Sequence, residues 1–131
     1  MVAKGLALDT NIAIDILNGK GEIANLCFKY YPIYLPIIVC GELLFGAINS
    51  GRSEINLSKY KDFIDDNQVL NTTSIVSIEY ANIRKFLKDL GSPIPENDIW
   101  IAAICISYDI TLITRDKHFR NIRNLDLILI E

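Results

Sequence analysis

Short apolar runs alternate with longer amphipathic segments along the whole chain. The short runs are rich in aliphatic and β-branched residues and predict strands over 5–8, 33–35, 68–70, 111–114 and 127–130. Between them apolar residues recur every three or four positions, which predicts helices over 12–17, 22–31, 37–49, 53–65, 75–90 and 98–108. Buried strands that alternate with helices are typical of a mainly parallel sheet covered on both faces. The pattern therefore predicts a three-layer α/β/α fold with a central, mostly parallel sheet.

The helices differ in how much of their surface is apolar. The helix over 98–108 is apolar nearly all round, which predicts burial at the centre of the domain. The helix over 75–90 has one apolar side, which we expect to face the core and which carries Ile78, Ala81, Ile83, Phe86, Leu87 and Leu90. Thr10 or Asn11 is suited to cap the first helix.

Length and composition favour a single globular domain over residues 1–131. Half of the residues are hydrophobic and 22% are charged, which excludes a disordered chain. The longest uncharged stretches, 30–41 and 67–78, are too short for a membrane span. The N-terminal residues reach Asp9 without the apolar core of a secretion signal, so we expect a cytoplasmic location and no membrane association.

Cys27, Cys40 and Cys105 lie among apolar neighbours and are expected to be buried thiols.

The net charge of −3 argues against binding of nucleic acid through a broad basic surface. A nuclease is compatible with this charge if it approaches phosphates through bound cations, because a metal ion reverses the local sign of the charge.

Four acids stand at positions where chemistry is expected. Asp9 follows the first predicted strand and Asp116 follows the fourth, so both are expected at the carboxyl edge of the sheet, where ligands bind. Glu42 and Asp98 lie in apolar helices without a basic residue nearby. An ionised carboxylate in apolar surroundings is costly unless it is paired or bound to a metal.

A site built from these four acids implies a bound divalent cation, because the carboxylates would otherwise repel one another. Oxygen ligands favour Mg²⁺ or Mn²⁺, whereas zinc would more often draw His or Cys, and His118 is the only histidine. Such an ion commonly links carboxylates to substrate phosphates and activates a water molecule, which suits hydrolysis of a phosphodiester.

Four motifs, in order and spaced over essentially the whole chain, resemble those of the PIN-domain ribonucleases, and in particular of the VapC-type toxins of prokaryotic toxin–antitoxin pairs. They are Leu6-Ala-Leu-Asp-Thr-Asn11, Leu35-Pro-x-x-Val-x-Gly-Glu-Leu-Leu-Phe-Gly46, Asn97-Asp-x-x-Ile-Ala-Ala103 and Leu112-Ile-Thr-Arg-Asp-x-x-Phe119. Each motif is weak by itself, but the four together are specific. The resemblance implies a PIN-like fold and an acidic pocket that binds Mg²⁺ or Mn²⁺.

The resemblance also implies roles for individual residues. Asp9, Glu42, Asp98 and Asp116 match the acidic positions of the family, as metal ligands and catalytic residues. Asn11 and Thr114 match supporting polar positions, which orient the acids or metal-bound water. His118 stands where some members carry a further acid, which is a departure from the pattern.

The implied function is a metal-dependent endoribonuclease that hydrolyses RNA, acts as a toxin and is held inactive by a cognate antitoxin protein. The resemblance further implies a homodimer. Exposed apolar residues on the helices over 22–31 and 53–65 are candidates for the antitoxin interface.

Each assignment has a structural alternative. Asp9 would also serve as an ordinary helix cap, Glu42 as a solvent-facing residue, Asp98 as a partner of the helix dipole and Asp116 as a turn residue.

Basic residues beside Asp116 either contact substrate phosphates or form a solvated face, and the candidates are Arg115, Lys117 and Arg120. Asp15 is expected outside the pocket. Trp100 and the tyrosines are more typical of core packing than of base stacking.

Two other functions compete with the nuclease. A catalytically inactive PIN-fold module would bind protein or RNA, but the chain keeps an acid at all four matching positions. A receiver-like phosphoacceptor domain would need an acid pair after the first strand and a lysine after a late one. Asp9 stands alone at the first place and Arg115 is the nearest candidate at the second, which argues against a receiver.

Overall fold

The computed structural model describes residues 4–131 and contains one fully parallel sheet of five strands in the order β3-β2-β1-β4-β5. The strands are β1 (Leu6–Leu8), β2 (Ile33–Pro36), β3 (Gln68–Leu70), β4 (Thr111–Thr114) and β5 (Leu127–Leu129). The predicted α/β fold is confirmed, and the sheet is parallel throughout rather than mostly parallel.

Six α-helices connect the strands within the described residues: α1 (Thr10–Leu17), α2 (Gly21–Phe28), α3 (Ile37–Ile48), α4 (Ser53–Asp65), α5 (Ser74–Leu90) and α6 (Glu96–Ser107). The second helix ends at Phe28, three residues before the predicted end. The last helix begins at Glu96, two residues early, because Pro95 can directly precede a first helical turn. A 3₁₀ helix over Lys117–Asn121 was not predicted.

The strand order reverses between β1 and β4, which places a crevice at their carboxyl ends. The chain moves outward from β1 through β2 to β3, and then returns through α5 and α6 to β4 on the other side of β1. Because parallel crossovers are right-handed, these two sets of connections cover opposite faces of the sheet. The backbone N–H of Asp9 donates to the carbonyl of Ile113 at 3.0 Å, so the ends of β1 and β4 are held in register.

Helix α6 is the buried helix of the domain, as predicted. Its fully or nearly fully buried residues are Ile99, Ile101, Ala102, Ala103, Ile104 and Cys105. The prediction for α5 was wrong in part, because Ile78 is 63% exposed and Leu90 is 54% exposed. Ile83 and Leu87 are buried as expected, whereas Ala81 is exposed, and Val76 is a further buried residue outside the predicted set. The buried side is rotated toward Tyr80, whose ring stacks on Trp100 of α6 with the ring centroids 3.9 Å apart.

The three cysteines are free and buried, as the sequence predicts. Burial raises the pKa of the Cys27 and Cys40 thiols to about 11, so both are protonated near neutral pH. This agrees with a structural role for the thiols. Over residues 4–131, none of the helices combines the length and the apolar character needed to cross a bilayer.

Candidate active site

The four predicted acids, Asp9, Glu42, Asp98 and Asp116, line one cleft at the carboxyl end of the sheet. Three connections bring them there: Asp9 joins β1 to α1, Glu42 lies in α3 after β2, and Asp116 follows β4. Asp98 comes from the first turn of α6. The topology therefore collects acids that are far apart in sequence at the point where the strand order reverses.

Asp9 is the most buried of the four, with 2% of its surface exposed. It is the N-cap residue of α1, so the cap lies one position before the predicted Thr10 or Asn11. One carboxylate oxygen accepts from the backbone N–H of Thr10 at 2.8 Å, and the other accepts from the Thr114 hydroxyl at 2.5 Å. Burial, with smaller contributions from the charges of Asp98 and Asp116, raises the pKa of Asp9 to about 6 against these hydrogen bonds. Asp9 therefore both caps a helix and supplies a carboxylate to the cleft.

Asn11 and Thr114, the two residues expected at supporting positions, connect Asp9 to Asp116 through hydrogen bonds. The Asn11 amide donates to Asp9 at 3.2 Å and to Asp116 at 3.3 Å, while its oxygen accepts from the backbone N–H of Arg115 at 3.2 Å. The Thr114 hydroxyl, besides donating to Asp9, accepts from the backbone N–H of Asp116 at 3.0 Å. The two neutral side chains hold the two carboxylates at the ends of β1 and β4 close together.

Glu42 lies on the opposite side of the cleft from β4, on α3, and its partner is Thr10. The Thr10 hydroxyl donates to Glu42 Oε1 at 2.6 Å. We predicted Thr10 only as a helix cap, and its contact with Glu42 was missed. The only signal in the sequence is its place beside Asp9 in the first motif.

Asp98 and His118 form a contact that sequence reasoning did not foresee. His118 Nε2 lies 2.7 Å from Asp98 Oδ2, because the 3₁₀ helix after β4 turns the imidazole toward the first turn of α6. Burial raises the pKa of Asp98, and the hydrogen bond and charge of His118 oppose that rise. One ligand atom from each of Asp98, Asp116 and His118 lies within 4.8 Å of the other two.

Arg115 points away from the four acids, although it precedes Asp116. Its Nε and Nη2 atoms lie 2.8 Å and 2.6 Å from Asp15 Oδ2, and Nη1 donates to the carbonyl of Glu131 at 3.3 Å. Asp15 also pairs with Lys20 at 3.1 Å and does not line the cleft, as expected. The other two basic candidates, Lys117 and Arg120, are exposed on the 3₁₀ helix.

The cleft has the donor set of a site for a hard divalent cation. Across residues 4–131, neither Lys nor Arg forms an ion pair with the four acids, and their hydrogen-bond partners are hydroxyl, amide and backbone groups together with His118. Carboxylate oxygens are the ligands that Mg²⁺ and Mn²⁺ prefer. Burial raises the pKa values of Asp9 and Asp98, so a cation bound in the cleft would offset the cost of keeping these two carboxylates ionised.

Known proteins share both the sequence and the fold. The family model described as the PIN domain matches residues 6–125. Ribonuclease VapC2 of Rickettsia felis is 31% identical over 125 residues, which cover 92% of this chain and 93% of that protein. Ribonuclease VapC1 of Haemophilus influenzae strain R2866 is 30% identical over 123 residues, which cover 90% of this chain and 92% of that protein.

Comparison with solved structures gives the same result as comparison with the sequence relatives. A chain in the crystal structure of VapBC2 from Rickettsia felis, bound to a DNA fragment from its promoter, is 30% identical and matches with a TM-score of 0.88, over 96% of this chain and 98% of that one. A chain of VapBC-1 from nontypeable Haemophilus influenzae is 29% identical, with a TM-score of 0.85 over 95% and 96% of the two chains. The resemblance predicted from the four motifs is thereby confirmed, and this chain belongs to the PIN-domain family.

Proposed function

We propose that this protein is a metal-dependent endoribonuclease that hydrolyses RNA phosphodiester bonds and acts as the toxin of a toxin–antitoxin pair. The observation that carries the proposal is the cleft at the strand switch point, where four acids meet without a Lys or Arg partner among the described residues. The relatives at about 30% identity, which are named as VapC ribonucleases, support the same activity.

In this proposal Asp9, Glu42, Asp98 and Asp116 hold Mg²⁺ or Mn²⁺. The ion, when bound, neutralises charge on the scissile phosphate and lowers the pKa of a water molecule that attacks it. Thr114 and Asn11 fix the carboxylate of Asp9, and Asn11 also fixes Asp116. Thr10 orients Glu42 in the same way. These donors are neutral. They therefore orient the carboxylates without neutralising the negative charge that attracts the metal ion.

Lys117 and Arg120 are proposed to contact the RNA backbone beside Asp116. Both are exposed, in the 3₁₀ helix that begins directly after Asp116. Phosphate contacts position a nucleic acid and supply much of its affinity. Arg115 was the third candidate, but its guanidinium is engaged by Asp15 and Glu131, so we assign it to anchoring the segment after β4 to α1.

The proposal includes a cognate antitoxin as a partner, a homodimer and a cytoplasmic location. The VapBC structures that this chain resembles support the antitoxin. Exposed Phe28 on α2 and Ile55 on α4 agree with the predicted surface. Ile37 and Phe45 on α3 are also exposed and lie beside Glu42, so an antitoxin segment that covers them would reach the cleft.

Cleavage of total cellular RNA by the purified, antitoxin-free protein tests the proposal. We expect cuts at defined sites with Mg²⁺ or Mn²⁺, no cuts with EDTA, and a loss of roughly a hundredfold or more in Asp98→Asn, because a metal ligand is removed. Asp65→Asn, which changes an exposed aspartate of α4, is the matched control and should cleave like the wild type.

Two results would contradict the proposal. Cleavage that persists in Asp98→Asn would mean that another nuclease or another site is responsible. If the folded protein cleaves nothing with either metal ion, while it still binds RNA or a protein partner, the inactive PIN-fold binding module becomes the better explanation.

A further inference from the structure

His118 lies at the acidic cleft although it is not one of the acids. It sits in the 3₁₀ helix after β4, and its Nε2 atom is 2.7 Å from Asp98 Oδ2. Its ring packs against that of Phe119, with the centroids 4.9 Å apart, and Phe119 itself is buried. The imidazole is therefore directed into the site by its own helix and by the core beneath it.

The positions of three ligand atoms fit one cation. One atom from each of Asp98, Asp116 and His118 lies within 4.8 Å of the others. Ligands at about 2.1 Å from a shared ion lie about 3 to 4 Å from one another, so the separations need to change by no more than about 1 to 2 Å to bring all three onto it. Asp98 offers a second carboxylate oxygen, which leaves one of its oxygens free for another contact when the first binds a cation.

An imidazole changes the electrostatics of the cleft in a way that a fifth acid would not. Four carboxylates already repel one another there, and an additional negative charge would increase that repulsion. A neutral imidazole nitrogen adds a ligand without adding charge. It also changes the preference for metals, since imidazole suits transition metals, whereas Mg²⁺ prefers oxygen.

We propose that His118 is a direct ligand of the divalent cation, so that the site combines nitrogen and oxygen ligands and prefers Mn²⁺ over Mg²⁺. The inference rests on the proposed function, because it needs the metal ion of that site. His118 is then a fifth ligating residue, and it sets which metal the site selects.

The chain itself makes a sharp test possible, because His118 is its only histidine. In tag-free protein loaded with Mn²⁺, an imidazole nitrogen coupled to the ion in pulsed electron paramagnetic resonance can come only from this residue. We expect a directly coordinated nitrogen whose signal changes from the ¹⁴N to the ¹⁵N pattern when the protein is labelled with ¹⁵N-histidine. The signal should be absent from His118→Gln.

Metal affinities of two variants provide a second, independent readout. In His118→Gln we expect Mn²⁺ affinity to fall by roughly tenfold or more, with a smaller change for Mg²⁺. His118→Asp restores an oxygen ligand, and we expect it to bind Mn²⁺ without a nitrogen signal and to shift the preference toward Mg²⁺. Calorimetric titration of each ion into folded protein, checked by circular dichroism, measures both changes.

The possible failures are distinguishable. If the protein binds Mn²⁺ but shows no histidine nitrogen coupling, the ligand assignment is wrong and His118 only hydrogen-bonds to Asp98, while the metal-dependent nuclease stands. If the folded protein binds neither Mn²⁺ nor Mg²⁺, both this inference and the metal dependence of the proposed function are overturned.

Discussion

Helix α1 carries a buried aspartate at each end, and the two have opposite electrostatic environments. Asp9, at its N-cap, is 2% exposed and accepts hydrogen bonds from Thr10, Asn11 and Thr114, all of them neutral. Burial raises its pKa to about 6. Asp15, near the other end, is 7% exposed; burial acts to raise its pKa, but the hydrogen bonds from Arg115 and Lys20 outweigh burial and lower it.

The comparison separates a structural carboxylate from a functional one. Asp15 receives its cations from the chain itself, which stabilises the ionised form where α1 meets the segment after β4. Asp9 is buried without such a cation, which costs folding free energy unless a ligand from outside supplies the charge. Arg115 adjoins Asp116 in sequence, yet its guanidinium is directed to Asp15. The cleft thereby keeps its negative charge for a divalent ion.

The largest effect is expected from Asp9→Asn. Cleavage should fall by roughly a hundredfold or more, because the variant loses a metal ligand. The metal-free variant should nevertheless be more stable than the wild type by about 1 to 3 kcal/mol at pH 7, because a buried charge without a cation is removed. Cleavage assays and urea unfolding in EDTA measure the two changes. A loss of stability in Asp9→Asn would contradict this account of the site.

The pH dependence of the same variant is the next largest effect. Because the folded-state pKa of Asp9, about 6, lies above its ordinary value of 3.8, folding favours the protonated form. In metal-free protein the contribution of Asp9 to stability therefore decreases as the pH rises from about 4 to about 6, by up to about 3 kcal/mol. We expect the stability difference between Asp9→Asn and the wild type to be small near pH 4 and to reach its full value above pH 6. Urea unfolding at several pH values in this range measures it, and a pH-independent difference would refute the assignment.

Local pattern was sufficient to predict much of the fold and the four acids of the cleft. The strands were evident because buried parallel strands are short and apolar, and the edge rule then placed Asp9 and Asp116 together. Glu42 and Asp98 were evident as acids in apolar helices. In each case the information lies within a few residues of the position itself.

What the sequence did not reveal depends on contacts between distant side chains. Arg115 and Asp15 are 100 residues apart in the chain, and nothing local shows that the guanidinium turns away from the cleft. The approach of His118 to Asp98 depends on a 3₁₀ helix of five residues. So short a helix leaves no periodic pattern of apolar residues in the sequence by which it could be predicted. The rotation of α5, which leaves Ile78 exposed and brings Tyr80 onto Trp100, depends on packing against α6 that the apolar spacing of α5 does not show.

Asp15→Asn should act in the opposite direction to Asp9→Asn and with a smaller effect. Removing the buried carboxylate from this cluster leaves Arg115 with only the carbonyl of Glu131, but the Arg115 side chain is 34% exposed and water offsets part of the loss. We expect a destabilisation of about 1 to 2 kcal/mol at pH 7, measured by urea unfolding. The lowered pKa means that this contribution is present above the ordinary value of 3.8 and is lost as the pH falls through the folded-state pKa. An Asp15→Asn protein as stable as the wild type would mean that the cluster has no structural role.

The smallest effect is expected for the exposed basic residues of the 3₁₀ helix after β4. Neither Lys117→Gln nor Arg120→Gln changes a buried contact, so stability should remain within about 0.5 kcal/mol of the wild type. Each should weaken RNA binding a few-fold and reduce the slope of log affinity against log salt by about one, as expected for a lost phosphate contact. Lys61→Gln, at an exposed lysine of α4, is the matched control and should leave the slope unchanged. Binding isotherms measure the slope, and each variant is combined with Asp98→Asn so that the RNA is not cleaved during the measurement. Identical slopes in all variants would assign Lys117 and Arg120 to an ordinary solvated face.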